Sequence, residues 1–217
     1  MLPLLKCPKS DNRLTLEIDK LRAAGGEENP LINGKPILVR HIEAHHITPP
    51  LSDKISQNVA FYCVPDTSLP QNCTILHLGS GNVPSEDSRV ISLDILPCEN
   101  VDIVADAESL PFLDETSDFV DSSAVFEHVY DPLAAIREIK RVLKPAGSFR
   151  IDTAFMQSYH GYPQHYFNMT PQAIETFLVD DFLLEEGYVP DSATPLLSIV
   201  SLFDRFLSYL PKRTAII

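Results

Sequence analysis

The sequence predicts an α/β fold built on a mostly parallel sheet, and three observations lead to this prediction. Residues 75–78, Ile-Leu-His-Leu, form a short apolar run that stops at a glycine, as expected of a central strand feeding a tight loop. Val90–Asp94 is a second apolar strand, and it ends in an acid. After a helix, Ser148–Thr153 is a further predicted strand. Since strands alternate with helical pattern, we expect helices on both faces of one sheet.

Two helices are predicted from capping signals and apolar periodicity. The first begins at Asp131-Pro132, an N-cap followed by proline at the first helical position, and ends before Pro145. The second begins at Thr170-Pro171 for the same reason. The apolar face of the first helix is predicted to comprise Leu133, Ile136, Ile139 and Leu143.

A glycine-rich loop follows the first predicted strand. Gly79-Ser80-Gly81 lets the backbone approach a ligand with no Cβ in the way. In open α/β sheets, ligands bind outside the carboxyl ends of the strands, where an acid such as Asp94 accepts hydrogen bonds from both hydroxyls of a ribose. A lone Gly-x-Gly is weak evidence, but together with Asp94 it predicts a nucleoside-containing ligand.

Several separated motifs follow this loop in a characteristic order. They are the Asp106–Phe112 loop (Asp-Ala-Glu-Ser-Leu-Pro-Phe), the Asp118-Phe-Val strand, the Phe126–Val129 turn (Phe-Glu-His-Val) and the Arg141–Gly147 hairpin (Arg-Val-Leu-Lys-Pro-Ala-Gly). With them, residues 73–153 closely resemble class I S-adenosylmethionine-dependent methyltransferases, especially the type 11 group related to ubiquinone-biosynthesis methyltransferases. The hairpin departs from that group at Ala146, where glycine is usual.

The resemblance implies a Rossmann-like sheet and S-adenosylmethionine as the cofactor. It implies that Gly79 and Gly81 lie against the methionine part of this cofactor, that Asp94 binds the ribose, and that Asp106 and Ala107 lie beside the adenine. The complete predicted cofactor site is Gly79, Ser80, Gly81, Asp94, Ile95, Asp106, Ala107 and Glu108.

The segment between the glycine loop and the second strand is unusually short. Most of that superfamily has a full helix here, whereas the residues between Gly81 and Val90 are few and rich in turn formers. The third glycine of the usual loop is also replaced, by Val83. We therefore predict no helix in this segment and a smaller contribution of a helix N-terminus to ligand binding. Either cofactor binding is weaker, or the loop is remodelled; we favour remodelling because both acids are retained.

The first 46 residues form short predicted strands joined by Gly, Asn and Pro turns. Through Cys7-Pro8 and residues 29–38, they resemble the small zinc-ribbon-derived domain that activates tRNA and protein methyltransferases. The second cysteine of its Cys-Pro-x-Cys corner is replaced by Ser10, and His41, His45 and His46 have no companion cysteine pair. Since tetrahedral zinc needs four N or S ligands, we predict a degenerate, metal-free docking lid. Residues 47–72 are a predicted linker, and 73–217 the methyltransferase domain.

A loop rich in histidine and tyrosine follows the Ser148–Thr153 strand, where an α/β site would bind its second substrate. It resembles a block of uncharacterised methyltransferases from bacterial glycan and small-molecule pathways. His165 is a candidate general base, because a histidine with a pKa near neutral can accept a proton from a nucleophile. The alternative is that the aromatic rings are core and the histidines surface; His77 is expected to be a buried packing residue. The predicted acceptor pocket is His128, His160, Tyr162, His165 and Tyr166.

The composition and charge of the chain disfavour several classes of function. The formal net charge of −13 disfavours direct binding of nucleic acid or anionic lipid. No apolar run approaches the length of a membrane span, and the start of the chain lacks the pattern of a signal peptide. The four cysteines have no metal-ligand spacing, so free thiols and a cytoplasmic location are expected.

Three functions remain open from the sequence. The first is a methyltransferase that acts on a small molecule or a glycan precursor. The second is a catalytically weak cofactor-binding or scaffold subunit that activates a partner methyltransferase. The third, a nicotinamide-dependent oxidoreductase, fits Gly-x-Gly and Asp94 but not the loop at Asp106 or the Leu-Lys-Pro hairpin. We favour the first.

Overall fold

The computed structural model describes residues 1–40, 62–65, 68–157, 159–160, 164–189, 198–200, 202–203 and 206. His41, His45, His46, Tyr162 and most of the predicted 47–72 linker lie outside these residues. Among the described residues, no helix is long and apolar enough to cross a membrane.

The described residues form one nine-stranded sheet with the order β1-β2-β3-β4-β7-β6-β5-β8-β9. Strands β1 to β4 pair antiparallel with one another, and every other pair, from β4 with β7 to β8 with β9, is parallel. The prediction of a Rossmann-like, mostly parallel sheet with a small β-rich N-terminal part is therefore confirmed. The strands are β1 (Leu14–Leu16), β2 (Lys20–Ala23), β3 (Glu28–Ile32), β4 (Lys35–Leu38), β5 (Ile75–Leu78), β6 (Val90–Asp94), β7 (Ile103–Ala105), β8 (Ser117–Ser123) and β9 (Leu143–Asp152).

The N-terminal strands continue the main sheet rather than forming a sheet of their own. Asn33-Gly34, both with positive φ, make the two-residue turn between β3 and β4, the conformation that Asn-Gly favours in hairpins. Ile37 of β4 then pairs in register with Val104 of β7. Cys7 lies in the main core and accepts a hydrogen bond from the buried Asn29 amide, with a donor–acceptor distance of 3.6 Å. The predicted boundaries at residues 46 and 72 stay predictions.

The first helix, α1 (Pro132–Val142), begins where the cap signal predicts. The Asp131 carboxylate accepts a hydrogen bond from the amide of Ala134 at 3.0 Å. The predicted apolar face needs two corrections: Leu133 is 44% exposed, and Leu143 begins β9. Leu133 is exposed because the helix turns its Ala135, Ile136, Ile139 and Val142 side to the sheet.

The second helix, α2 (Pro171–Leu178), also begins at its predicted cap, since Thr170 accepts a hydrogen bond from the amide of Ala173 at 3.2 Å. Both helices pack on the same main core, and neither contributes to the two smaller cores on the sheet. The expectation of helices on both faces is therefore not met within the described ranges. Helix α1 fills the connection between β8 and β9, whereas the described connections from β5 to β6, β6 to β7 and β7 to β8 contain no helix.

The segment from Gly81 to Val90 contains no helix, as predicted. Turns close it instead: the amide of Val83 donates to the carbonyl of Ser80 at 3.1 Å, and that of Val90 to Asp87 at 3.0 Å. Arg89 anchors the end of the segment through its guanidinium, which contacts the Asp87 carboxylate at 2.6 Å.

A row of polar side chains crosses the sheet on the face opposite α1. His77 of β5 pairs in register with Asp121 of β8, which pairs in turn with Arg150 of β9. The fully buried Asp121 carboxylate accepts hydrogen bonds from Arg150 at 2.7 and 2.9 Å and from the Tyr62 hydroxyl at 2.6 Å. The Tyr62 ring stacks on His77 at a centroid distance of 3.9 Å. His77 is thus a buried packing residue, as predicted from the sequence.

Because His77 is buried, it makes the stability of the folded protein depend on pH in the acidic range. Desolvation lowers its pKa from 6.5 to about 4, so the folded protein keeps this ring neutral while an unfolded chain protonates it. Because the unfolded state then binds more protons, His77 removes stability as the pH falls from 6.5 towards 4.

We expect this loss to reach about 1.4 kcal/mol per pH unit in that window. Urea unfolding at pH 7, 6 and 5 measures it, and the control is His77→Phe, which keeps a ring against Tyr62 but cannot titrate. The parent should lose stability relative to the variant as the pH falls from 7 to 5. Parallel pH profiles for the two proteins would contradict the assignment.

Candidate active site

Three predicted cofactor residues follow three neighbouring parallel strands. Gly79 comes directly after β5, Asp94 is the last residue of β6, and Asp106 comes directly after β7. Since β7, β6 and β5 are adjacent, the carboxyl ends of these strands bring the three residues to one edge of the sheet. The sequence order of the parallel strands reverses between β5 and β8, so this edge includes the topological switch point where open α/β sheets bind ligands.

The glycine loop is held close to the turn that follows β8. Gly79 and Gly81 both adopt the left-handed conformation, with φ of +63° and +55°. A Cβ on Gly79 would lie 2.1 Å from Cγ2 of Val125. The amide of Ser80 donates to the carbonyl of Leu93 on β6 at 2.9 Å, and the buried Ser80 hydroxyl has no hydrogen-bond partner among the described residues. Glycine at position 79 is therefore required both by its φ and by the close contact with Val125.

Asp94 holds the glycine loop through its carboxylate. Its Oδ2 accepts a hydrogen bond from the amide of Gly81, and its Oδ1 from the amide of Leu96, both at 2.8 Å. Burial raises the pKa of Asp94, and these two amides and nearby His128 oppose that shift. A carboxylate has about four lone-pair positions, so each oxygen keeps capacity for a second donor such as a ribose hydroxyl. The neighbouring Ile95 packs against a smaller core instead.

The loop after β7 is stabilised by its own acids. Asp106 Oδ1 accepts from the amide of Glu108 at 2.9 Å. Glu108 Oε1 in turn accepts from the amides of Tyr130 and Asp131, at 3.0 and 3.1 Å, just before α1. Glu108 therefore connects the loop after β7 to the residues just before α1. Ala107 packs against the main core. Their predicted contact with the cofactor stays a prediction.

The histidines of the predicted acceptor pocket lie together. The ring centroids of His160 and His165 are 4.2 Å apart, and His128 lies 5.1 and 5.9 Å from them. The exposed Tyr166 ring packs edge-on against Tyr130 at 5.5 Å. The fifth predicted pocket residue, Tyr162, lies outside the described residues.

Both ring nitrogens of His165 contact the backbone. Nε2 lies 2.9 Å from the carbonyl oxygen of Phe167, which can only accept, so Nε2 carries the proton. Nδ1 then accepts from the amide of His160 at 3.2 Å. Desolvation first, and then the neighbouring charge of His160, lowers the pKa of His165. Nδ1 of His165 can accept a proton from a nucleophile only after its hydrogen bond with the His160 amide breaks. The catalytic role of His165 stays a prediction.

Glu127 belongs to this cluster but was not among the predicted site residues. Its side chain is fully buried, its Oε2 accepts from the Thr153 hydroxyl at 2.8 Å, and its Oε1 lies 4.0 Å from Nε2 of His160. Its backbone carbonyl accepts from the amides of Tyr166 and Phe167 at 2.7 and 3.3 Å, which fixes the loop against the turn after β8. The sequence signal for it was its place in the Phe126–Val129 turn, one of the motifs that carry the family resemblance.

A cavity of about 380 Å³ lies elsewhere, beside β6 and the short segment that follows the glycine loop. Polar residues line it, including Ser85, Asp87, Ser92 and Asn100, and none of the predicted site residues does so. This cavity is therefore separate from the candidate site.

One part of the chain is similar to a known family. Residues 85–151 match the family model described as a methyltransferase domain, a stretch that includes Asp94 and Asp106 but begins after the glycine loop. The matched segment is similar to methyltransferase domains.

The chain is also 44% identical over 57 residues to an uncharacterised methyltransferase of Schizosaccharomyces pombe. This match covers 26% of the chain and spans only 20% of the length of that relative.

Solved structures give weaker likenesses. The YcgJ protein of Bacillus subtilis matches with a TM-score of 0.45 and 17% identity, covering 67% of this chain and 81% of that one. A SAM-dependent methyltransferase from Aquifex aeolicus matches with a TM-score of 0.39 and 20% identity, covering 50% and 71%. These likenesses are too weak to carry an argument about this chain.

The contact between Gly79 and Val125 can be measured as a free energy. Gly79→Ala should cost about 1–2 kcal/mol for the left-handed backbone alone, plus the clash with Val125. Gly34→Ala is the matched control, because Gly34 also has positive φ, +78°, but nothing lies within 4 Å of its added Cβ.

Urea unfolding of both variants gives the comparison. We expect Gly79→Ala to be the more destabilised, and Gly79→Ala in a Val125→Ala background to lose that excess. Equal losses of unfolding free energy in Gly79→Ala and Gly34→Ala would show that the glycine loop has no close contact with Val125.

Proposed function

We propose that this chain is an S-adenosylmethionine-dependent methyltransferase that acts on a small-molecule or glycan-precursor acceptor. The observation that carries the proposal is the common edge of β5, β6 and β7, where the Gly79–Gly81 loop, Asp94 and Asp106 come together. The methyltransferase match over residues 85–151 supports it. A dinucleotide-dependent oxidoreductase is disfavoured by the same match.

The residues at this edge fit the cofactor in chemistry. The glycine loop offers backbone without side chains to the methionine part, and the buried Ser80 hydroxyl offers an additional polar contact. Asp94 keeps lone pairs for the ribose hydroxyls, while Asp106 and Ala107 follow β7 on the adenine side. When bound, the cofactor supplies an electrophilic methyl group on a sulfonium.

The remaining chemistry is positioning. Methyl transfer requires a nucleophile in line with the methyl group, and correct placement alone can lower a barrier by several kcal/mol. The cluster of His128, His160, His165 and Tyr166 flanks the same edge, because the turn after β8 carries His128 and also contacts Gly79 through Val125. We infer that this cluster orients the acceptor and excludes water.

Asp94→Asn tests the cofactor assignment. Loss of charged hydrogen bonds to the ribose costs about 1.5–3 kcal/mol, so the affinity for S-adenosylmethionine should fall by roughly 10- to 100-fold. Isothermal titration measures this affinity, and a parallel titration with NAD should show no binding by the parent.

Asp102→Asn is the matched control. Asp102 also accepts a backbone hydrogen bond from β6, from the amide of Ser92 at 2.8 Å, but it lies before β7 rather than after it. This variant should bind the cofactor as the parent does. If Asp94→Asn binds S-adenosylmethionine as tightly as Asp102→Asn does, Asp94 is only the last residue of β6. The ribose assignment is then wrong.

A pH profile tests His165 on the acceptor side. The lowered pKa of His165 keeps the ring neutral at pH 7, and the rate should fall only when the pH drops below about 6.5. His165→Ala should lower turnover by about 10²-fold or more, remove that acidic limb and leave cofactor affinity unchanged. If His165→Ala lowers turnover by the same factor at every pH, His165 is not the base. Its role is then to hold the loop through His160 and Phe167.

One observation favours the alternative of a catalytically weak subunit that activates a partner. The amide of Gly81, which would otherwise face a ligand, donates to Asp94, and no helix N-terminus follows the loop. The two functions differ in one measurement. The enzyme binds S-adenosylmethionine and methylates an acceptor alone, whereas the subunit raises the turnover of a second methyltransferase without turnover of its own.

A further inference from the structure

We propose that Glu127, His128 and His160 form a binding site for a divalent transition-metal ion of the Zn²⁺ class. In the described part of the chain, these residues each offer one ligand atom, and the three atoms lie within 4.8 Å of one another. Glu127 and His128 come from the turn after β8, and His160 from the loop after β9. The site therefore joins two segments that are distant in sequence.

Glu127 supplies the observation that points to a cation. Its side chain is fully buried, and its Oε1 has no hydrogen-bond partner among the described residues. That oxygen lies on the side of His160, 4.0 Å from Nε2. A buried carboxylate oxygen without a donor is costly, and a bound cation would compensate it directly.

The other oxygen of Glu127 and the ring of His128 are already oriented for ligation. Oε2 accepts from the Thr153 hydroxyl at 2.8 Å, which fixes the carboxylate. Nδ1 of His128 contacts the carbonyl oxygen of Gln164, so Nδ1 carries the proton and the lone pair lies on Nε2. Metal-binding histidines usually donate their other ring N–H to a carbonyl or carboxylate in this way.

The donor set selects the class of ion. Two imidazoles and one carboxylate suit Zn²⁺, Fe²⁺, Co²⁺ or Ni²⁺, whereas Mg²⁺ and Ca²⁺ prefer oxygen ligands. Three protein ligands leave a coordination position open to water or another small ligand. The ion would tie the loop after β9 to the turn after β8.

The experiment is a titration of the full chain, without a histidine tag, with Zn²⁺ and with Co²⁺. The background is the His41→Ala/His45→Ala/His46→Ala variant, so that these histidines cannot supply the signal. We expect one ion per chain by calorimetry, visible absorption from bound Co²⁺, a raised thermal midpoint and no response to Mg²⁺.

Ligand variants in that background test the assignment. Glu127→Gln and His160→Ala should each weaken Zn²⁺ binding by at least about 10-fold. His160 is partly exposed, so its variant should fold even if the change at Glu127 does not.

Two control variants should bind Zn²⁺ as the background does. His165→Asn keeps a side-chain acceptor for the His160 amide, and Glu138→Gln changes a carboxylate that Arg141 and the amide of Leu110 already occupy.

Either of two results would overturn the proposal: no stoichiometric binding in the background, or equal affinity in the ligand variants and the controls. Neither outcome involves S-adenosylmethionine or an acceptor, so the metal site and the proposed methyltransferase activity succeed or fail separately.

Discussion

The burial of β5 is the constraint on which the rest of this structure depends. All four of its residues are buried, and β6 and β8 take up its backbone hydrogen bonds on either side. A strand enclosed in this way exposes polar groups only at its ends, so the chemistry must gather where β5 and its neighbours stop. The chain turns there at Gly79 with no room for a side chain, because the turn after β8 lies against it through Val125. The glycine loop and the turn that carries Glu127 and His128 are thus parts of one packed unit.

Two buried carboxylates, one on β8 and one beyond its end, show how differently the fold pairs buried charge. Asp121 is surrounded by donors, since Arg150 contacts both of its oxygens and Tyr62 adds a third hydrogen bond. Glu127, beyond the end of the same strand, accepts a hydrogen bond from Thr153 on one oxygen, and its other oxygen has no hydrogen-bond donor among the described residues. The first arrangement is internally complete and therefore structural. The second leaves one buried carboxylate oxygen without a donor, and buried polar groups left unpaired in this way are characteristic of sites that bind a ligand.

Local signals in the sequence predicted what depends on local chemistry. The helix caps at Asp131 and Thr170 and the short connection after Gly81 were all predicted and confirmed, because turn formers and caps act within a few residues. Ala146 adopts a φ of +63° at the position where the resembled family usually has glycine. The pairing of β4 with β7 could not be predicted, since it joins residues far apart in sequence. The burial of Glu127 depends on the same kind of long-range contact, which is why the site prediction missed it.

With the short loop, Asp94 has one observed role, ordering the loop, and one proposed role, holding the ribose. Where a helix follows the glycine loop, its backbone orders the loop and its N-terminus attracts the ligand. Here the amides of Gly81 and Leu96 are ordered by one carboxylate, which is also the residue assigned to the ribose. Donors added by a ligand would strengthen the anionic form of Asp94 against the desolvation that raises its pKa. Loop order and ligand binding are then linked through one residue, so a ligand that satisfies Asp94 also stabilises the loop that encloses it.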